Sequence, residues 1–146
     1  MDIALKTMTT KFLYDFILRH KLAVIATVSD NNKSESALMG ITVTKDLKII
    51  FDTSSKSRKY LNLMSNPSIS LVIGWDNEQT LQYEGIAKFP KNEELKKLKE
   101  IYFKTFPDGK EREKWVNITY VCVEPRWLRF SDYNEPMKIE ERNFNQ

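Results

Sequence analysis

Phe51-Asp52-Thr53-Ser54-Ser55-Lys56-Ser57-Arg58-Lys59 is the stretch on which the reading of this chain turns. Residues 47–53 read as a β-strand, and 55–66 as a short helix stopped by Asn66-Pro67. Ser54, Ser55 and Ser57 are N-cap candidates, because a hydroxyl oxygen can accept from a free backbone N–H of the first turn. Lys56, Arg58 and Lys59 crowd that same turn. A helix N-terminus already carries partial positive charge, so cations there are unfavourable by a few tenths of a kcal/mol each. An anion at the turn accounts for the placement: backbone N–H groups, a guanidinium and an ammonium together would hold a phosphate. A solvated helix start that happens to be basic is the other reading.

Outward from this turn, the pattern is mostly strands. Phe12, Leu13, Phe16 and Ile17 have helical spacing, which predicts an amphipathic helix over about 8–20. Leu22 to Val28 is a nearly continuous apolar run and reads as a strand buried on both faces. Asp30-Asn31-Asn32 is turn chemistry. Strands over about 35–44 and 47–53 are joined by a tight turn at Lys45-Asp46, and Ile69 to Trp75 is another apolar strand. Leu81, Tyr83, Gly85 and Ala87 alternate with Gln82, Glu84, Ile86 and Lys88, which suits a half-exposed strand. Leu95, Leu98, Ile101, Tyr102 and Phe106 mark a charged surface helix ending at Pro107-Asp108-Gly109. Val116 to Glu124 and Trp127 to Asp132 complete the strands, with Pro125 interrupting them. About seven strands with three peripheral helices, connected as hairpins, make a mainly β fold and favour an antiparallel barrel over a parallel α/β sheet.

Composition narrows the classes. The chain has 146 residues, 41% hydrophobic and 29% charged, the balance of a soluble globular protein read as one domain over 1–146. One cysteine, Cys122, forms no internal disulfide, and one histidine, His20, builds no histidine-rich metal site. No apolar run approaches the ~18 residues of a membrane span. Met1-Asp2-Ile3-Ala4-Leu5-Lys6 lacks the order of a secretory signal. A cytoplasmic setting, with no membrane partner, is the expectation. The net charge of +3, with basic residues dispersed among acids, argues against nucleic acid as a partner.

With these pieces in place, Phe51 to Lys59 resembles the strand-to-helix segment of the pyridoxamine 5'-phosphate oxidase-like family of FMN-binding split β-barrels. The surrounding order is similar too: Ala23 to Val28 as first strand, Asn66-Pro67 closing the helix, Trp75 ending the next strand, then Glu84-Gly85. Ile118-Thr119-Tyr120-Val121 and Glu124-Pro125-Arg126-Trp127-Leu128-Arg129 resemble the last two strands of small members. The likeness covers residues 12–133. It implies that Ser57, Arg58 and Lys59 bind the FMN phosphate, with Asp52 and Thr53 beside the ribityl chain and phosphate. It implies backbone contact from Leu38 to Ile41 with the flavin ring. Thr80 falls where true oxidases place a flavin-contacting glutamine, and Gln79 or Gln82 is the alternative. A homodimer with flavin at its interface would let Trp127 and Arg129 reach the partner's cofactor. True oxidases also carry an arginine and a lysine on the second strand, where this chain has Ala37 and Thr42. Their C-terminal substrate motif has no equivalent in Pro136 to Arg142, so vitamin B6 oxidation is not expected.

The remaining notable residues read as structural. His20 sits near a helix C-terminus, where the dipole favours a cation. Cys122 alternates with Ile118 and Tyr120 on one strand face as a core residue. Tyr83 and Trp75 read as barrel packing more than flavin stacking, and Lys96, Lys97 and Lys99 as a solvated face. No nucleophile–base pair stands out, so the chemistry belongs to the cofactor. Three functions follow: an FMN-dependent oxidoreductase acting on a small organic substrate, a flavin-binding or stress-associated module without turnover, and a split barrel using a deazaflavin coenzyme or haem.

Overall fold

The computed structural model describes residues 8–144. The opening segment Met1 to Lys6, read above for an export signal, lies outside the described residues. Helix α1 (Thr10–His20) starts where Thr9 Oγ1 accepts the Phe12 N–H at 3.0 Å. Its helical spacing puts Leu13, Phe16 and Ile17 on one side, all fully buried. Lys21 ends it in the left-handed conformation. Nine elements follow up to β7: β1 (Leu22–Val28), β2 (Ser34–Gly40), β3 (Thr42–Val43), β4 (Ile49–Ser54), α2 (Arg58–Ser65), β5 (Ser68–Ile73), β6 (Gln79–Lys88), α3 (Asn92–Thr105) and α4 (Gly109–Arg112). The long strand β7 (Ile118–Asp132) and then β8 (Lys138–Asn143) complete the described chain.

Neighbouring strands run antiparallel along the path β2-β1-β5-β6-β7-β4-β3, and β8 adds to β7. β2 and β3 occupy opposite ends of this path, yet only Ile41 separates them in sequence. A sheet whose two ends are tied together must curl. The result is the expected antiparallel split β-barrel, curled as a half-barrel around the core.

Phe16, Phe51 and Tyr83 fill that core. The Tyr83 hydroxyl donates to the Leu47 carbonyl at 2.6 Å and lies 3.2 Å from that of Val123, so its burial strands no polar group. α1 closes one side, with Phe12 and Phe16 meeting the Phe130 ring edge-on at 5.0 and 5.4 Å. The other face of β4 and β7 carries a second cluster, Ile50, Leu98, Tyr102, Tyr120 and Cys122, under α3. Burial pushes the Cys122 thiol up to about 12, which makes it an inert core group.

The details depart from expectation in four places. The strand expected over 35–44 is two, because the chain changes partner at Ile41 from β1 to β4. Pro125 does not interrupt β7. Residues up to Val123 pair with β4 and those from Trp127 pair with β8, so the proline sits where no ladder is needed on that side. The register also slips opposite Glu84/Gly85, a bulge that absorbs Arg126. The additional elements β8 and α4 bring the described total to eight strands and four helices. Finally, β1 is buried on one face only, with Leu22 and Val24 exposed. Its outer face belongs to a continuous row across the sheet, Leu38–Val24–Val72–Gln82–Arg129–Glu141. No helix of the described chain is long and apolar enough to cross a membrane.

Gly85 is the tightest point of the bulge. A Cβ there would lie 2.3 Å from the Glu124 carbonyl oxygen and 2.7 Å from a Val123 methyl. Gly85→Ala should therefore cost ~1–3 kcal/mol of stability, read as a lower urea midpoint with an unchanged slope. An unaltered midpoint would mean that β6 and β7 do not approach this closely.

Candidate functional site

The turn between β4 and α2 is built by hydroxyl groups. Thr53 Oγ1 lies 3.1 Å from Ser57 Oγ, a hydrogen bond across the turn. Ser57 caps α2 by accepting the Tyr60 N–H at 3.2 Å, and Lys56 N–H is taken by Ser54 Oγ at 3.0 Å. Arg58 and Lys59 then occupy the opening turn, whose backbone N–H groups have no acceptor within a helix. The first turn of α2 holds no acid to balance them.

Their side chains border a cleft of about 240 Å³ between α2 and the β1–β2 hairpin, with Thr27, Glu35 and Ala37 on its strand side. Burial, and then the neighbouring Arg58 guanidinium, lower the Lys59 ammonium below the usual lysine range. Arg58 is 74% exposed, so its fork is available to a ligand entering the cleft. Thr53, Ser57, Arg58 and Lys59 thus come together at one turn.

Glu35, which the sequence reading did not single out, lines this cleft, and Asn62, also not singled out, holds it in place. Glu35 Oε1 lies 3.3 Å from Arg58 Nε and accepts from Asn62 Nδ2 at 2.9 Å. Asn62 is buried and its Nδ2 also donates to Thr27 Oγ1 at 2.9 Å. One sequence signal was available: Asn62 is polar in the middle of a short helix, one turn after Arg58.

Asp52 faces elsewhere. Phe51 and Thr53 point into the barrel, so strand alternation sends the Asp52 carboxylate to the opposite face. There it accepts from Arg112 Nε at 3.0 Å, while Arg112 also reaches Asp108 at 3.1 Å and the Tyr102 hydroxyl at 3.2 Å. Its role in this chain is to anchor α3 and α4.

The candidates on β6 and β7 form a separate group. Thr80 pairs with Ser131 and Gln82 with Arg129, on the outer face. Gln79 is engaged by Asp132 at 3.1 Å. Glu141 of β8 holds both Trp127 Nε1, at 3.2 Å, and Arg129 Nη1, at 3.4 Å. They lie on the outer face of the sheet, whereas β1 lines the α2 cleft with its inner-face residues Ile25 and Thr27, so the two groups sit on opposite faces. Leu38 is 60% exposed on the same outer face, whereas Ile41 is fully buried. Trp75 is exposed rather than packed in the barrel, since β5 ends at Ile73 and Gly74 turns the chain away with φ 79°. His20 donates through Nδ1 to the Phe16 carbonyl at 2.7 Å. Among the described residues no group of three or more His, Cys, Asp or Glu is placed to hold a metal.

Fold and turn together define a split barrel with a basic cleft at the start of a short helix. The family described as "Pyridoxamine 5'-phosphate oxidase" matches residues 9–132, and the chain belongs to that family. It is 28% identical over 95 residues to the pyridoxine/pyridoxamine 5'-phosphate oxidase of Blochmanniella pennsylvanica, an alignment covering 64% of this chain and 42% of that protein. Among solved structures it is similar to a heme binding protein from Mycobacterium smegmatis, with a TM-score of 0.80, 12% identity and coverage of 95% of this chain and 60% of that one. It is also similar to General Stress Protein 26 from Bacillus anthracis, with a TM-score of 0.71, 18% identity and coverage of 92% and 98%.

The two faces of β4 make a direct comparison. Asp52→Asn keeps the shape but removes the charge facing Arg112, and should destabilise the fold by ~1–3 kcal/mol. Because its carboxylate points away from the α2 cleft, any affinity of that cleft for FMN should stay within about twofold of wild type. Unchanged stability with weakened FMN binding would place Asp52 in the site instead.

Proposed function

We propose that this chain binds FMN by its phosphate in the α2 cleft and acts, as a homodimer, in flavin-dependent oxidation or reduction of a small organic molecule. The observation that carries the reading is the convergence of Ser57, Arg58 and Lys59 on one opening helix turn, beside a partly desolvated cleft. Their chemistry fits a phosphate: the guanidinium can make two charge-assisted hydrogen bonds, the ammonium adds a point charge, and Ser57 adds a hydroxyl. The bound flavin would supply the redox chemistry, and the protein's part is to fix and orient it.

Two features support a twofold partner. The row Leu38–Val24–Val72 leaves apolar side chains exposed beside Gln82 and Arg129, a kind of surface normally buried against a second copy. The Gln82–Trp127–Arg129 group also lies on the outer face of the sheet, whereas Ile25 and Thr27 line the phosphate cleft from the inner face. Vitamin B6 phosphate is not the favoured substrate. Thr42, where the resemblance leads one to expect lysine, is fully buried and bonded to Thr105 at 2.7 Å, so that position is covered by α3.

Haem is the second reading, favoured by the likeness to the M. smegmatis protein. Arg58 and Lys59 would suit a propionate as well as a phosphate. The sequence's one histidine, however, is tied to the Phe16 carbonyl and packed against the Phe16 ring at 4.3 Å.

Arg58→Ala should weaken FMN binding by roughly 10- to 150-fold, the loss of a charged hydrogen bond. Riboflavin, which lacks the phosphate, should bind both proteins equally. Fluorescence titration of both ligands measures this, and equal affinity of wild type for FMN and riboflavin would remove the phosphate site. Sedimentation of the same samples as a monomer at working concentration would remove the homodimer.

A further inference from the structure

Glu35 is out of place in a phosphate cleft. It is an anion 3.3 Å from the guanidinium that should meet the ligand's charge. It is not a loose surface acid, because its side chain is only 20% exposed and its Oε1 accepts from Asn62 Nδ2. Both hydrogens of that amide are committed, one to Glu35 and one to Thr27. Asn62 is itself buried, so moving Glu35 aside would leave a buried donor without an acceptor. The helix therefore sets the carboxylate from behind while presenting Arg58 in front. A bare anion entering the cleft meets a guanidinium already shared with a fixed carboxylate, and part of its attraction is cancelled.

A ligand that carries hydroxyl groups beside its anion meets a different surface. An ionised carboxylate is acceptor-only, with lone pairs beyond the one used by Asn62. A hydroxyl next to the phosphate can donate to it, and the repulsion is offset. We propose that Glu35 is the specificity-determining residue of the cleft, selecting a phosphate monoester of a polyol over inorganic phosphate and other bare anions. Discrimination of this kind comes from an element that disfavours the wrong ligand as much as from one that favours the right one. The proposal rests on the phosphate reading of the α2 cleft. It goes beyond that reading by assigning ligand selection to a residue outside the Ser57-Arg58-Lys59 turn.

The test uses two small probes that contain no flavin, inorganic phosphate and ribose 5-phosphate, titrated calorimetrically into wild type and Glu35→Gln. The glutamine keeps an oxygen for Asn62, and a matching thermal midpoint confirms that the variant is folded. Glu35→Asp, which draws the charge back from Arg58, serves as a second variant. Wild type should prefer ribose 5-phosphate by ~10-fold, and Glu35→Gln should bind inorganic phosphate about fivefold more tightly, reducing the preference to within about threefold. Glu35→Asp should fall between them. The same preference in all three proteins would overturn the assignment, as would binding of neither probe to any of them. FMN titration of the same samples separates the two readings. A shifted preference without flavin binding would remove the cofactor and leave Glu35 as the selector, and flavin binding with an unshifted preference would do the reverse.

Discussion

Two strands at opposite ends of the hydrogen-bonded path, β2 and β3, are joined through the single residue Ile41, and the rest of the molecule is arranged around that link. Ile41 is fully buried, and its N–H donates to the Lys21 carbonyl at 2.9 Å, which ties the link to the end of α1. A path of seven strands with its ends so joined has an inside and an outside, and the side chains of every strand divide between them. That division settles the chemistry of adjacent residues. Phe51 and Thr53 face the core and the cleft turn, and Asp52 faces α3 and α4.

Much of the architecture was legible in the sequence because it depends on local periodicity. The α1 stripe, the alternation of β6 and the Ser57 cap each follow from residues within a few positions of one another. What escaped depends on non-local partners. The break at Ile41 is a change of strand partner inside an unbroken apolar pattern. Pro125 looked like an interruption because the end of β4 and the start of β8 on either side of it are tertiary facts. β8 is Lys-Ile-Glu-Glu-Arg-Asn, a polar edge strand whose pattern carries little signal without β7 beside it.

The candidate site divides along the same line. Arg58 and Lys59 stood out because cations at a helix start are locally unfavourable, a conflict a single turn can reveal. The orientation of Asp52 was available from strand alternation, once Phe51 is taken as a core residue. The pairing of Glu35 with Asn62 was not available, since it spans 27 residues and no motif links the two. Trp127 and Arg129 are legible as a pair on one strand face. Their hold by Glu141 is not, because it needs the β8 register. A local conflict in the sequence thus marked the basic turn, and the fold placed the Glu35 carboxylate against it.

On the proposed function, the cations at the start of α2 hold a phosphate-bearing flavin rather than a haem. The most direct measurement is the absorption spectrum of the purified protein after incubation with equimolar FMN and haemin and removal of free ligand by gel filtration. A phosphate-bearing flavin in the α2 cleft should leave the two oxidised-flavin bands on the protein peak, with no Soret band. A Soret band retained on the protein, with the flavin left in the small-molecule fraction, would contradict it.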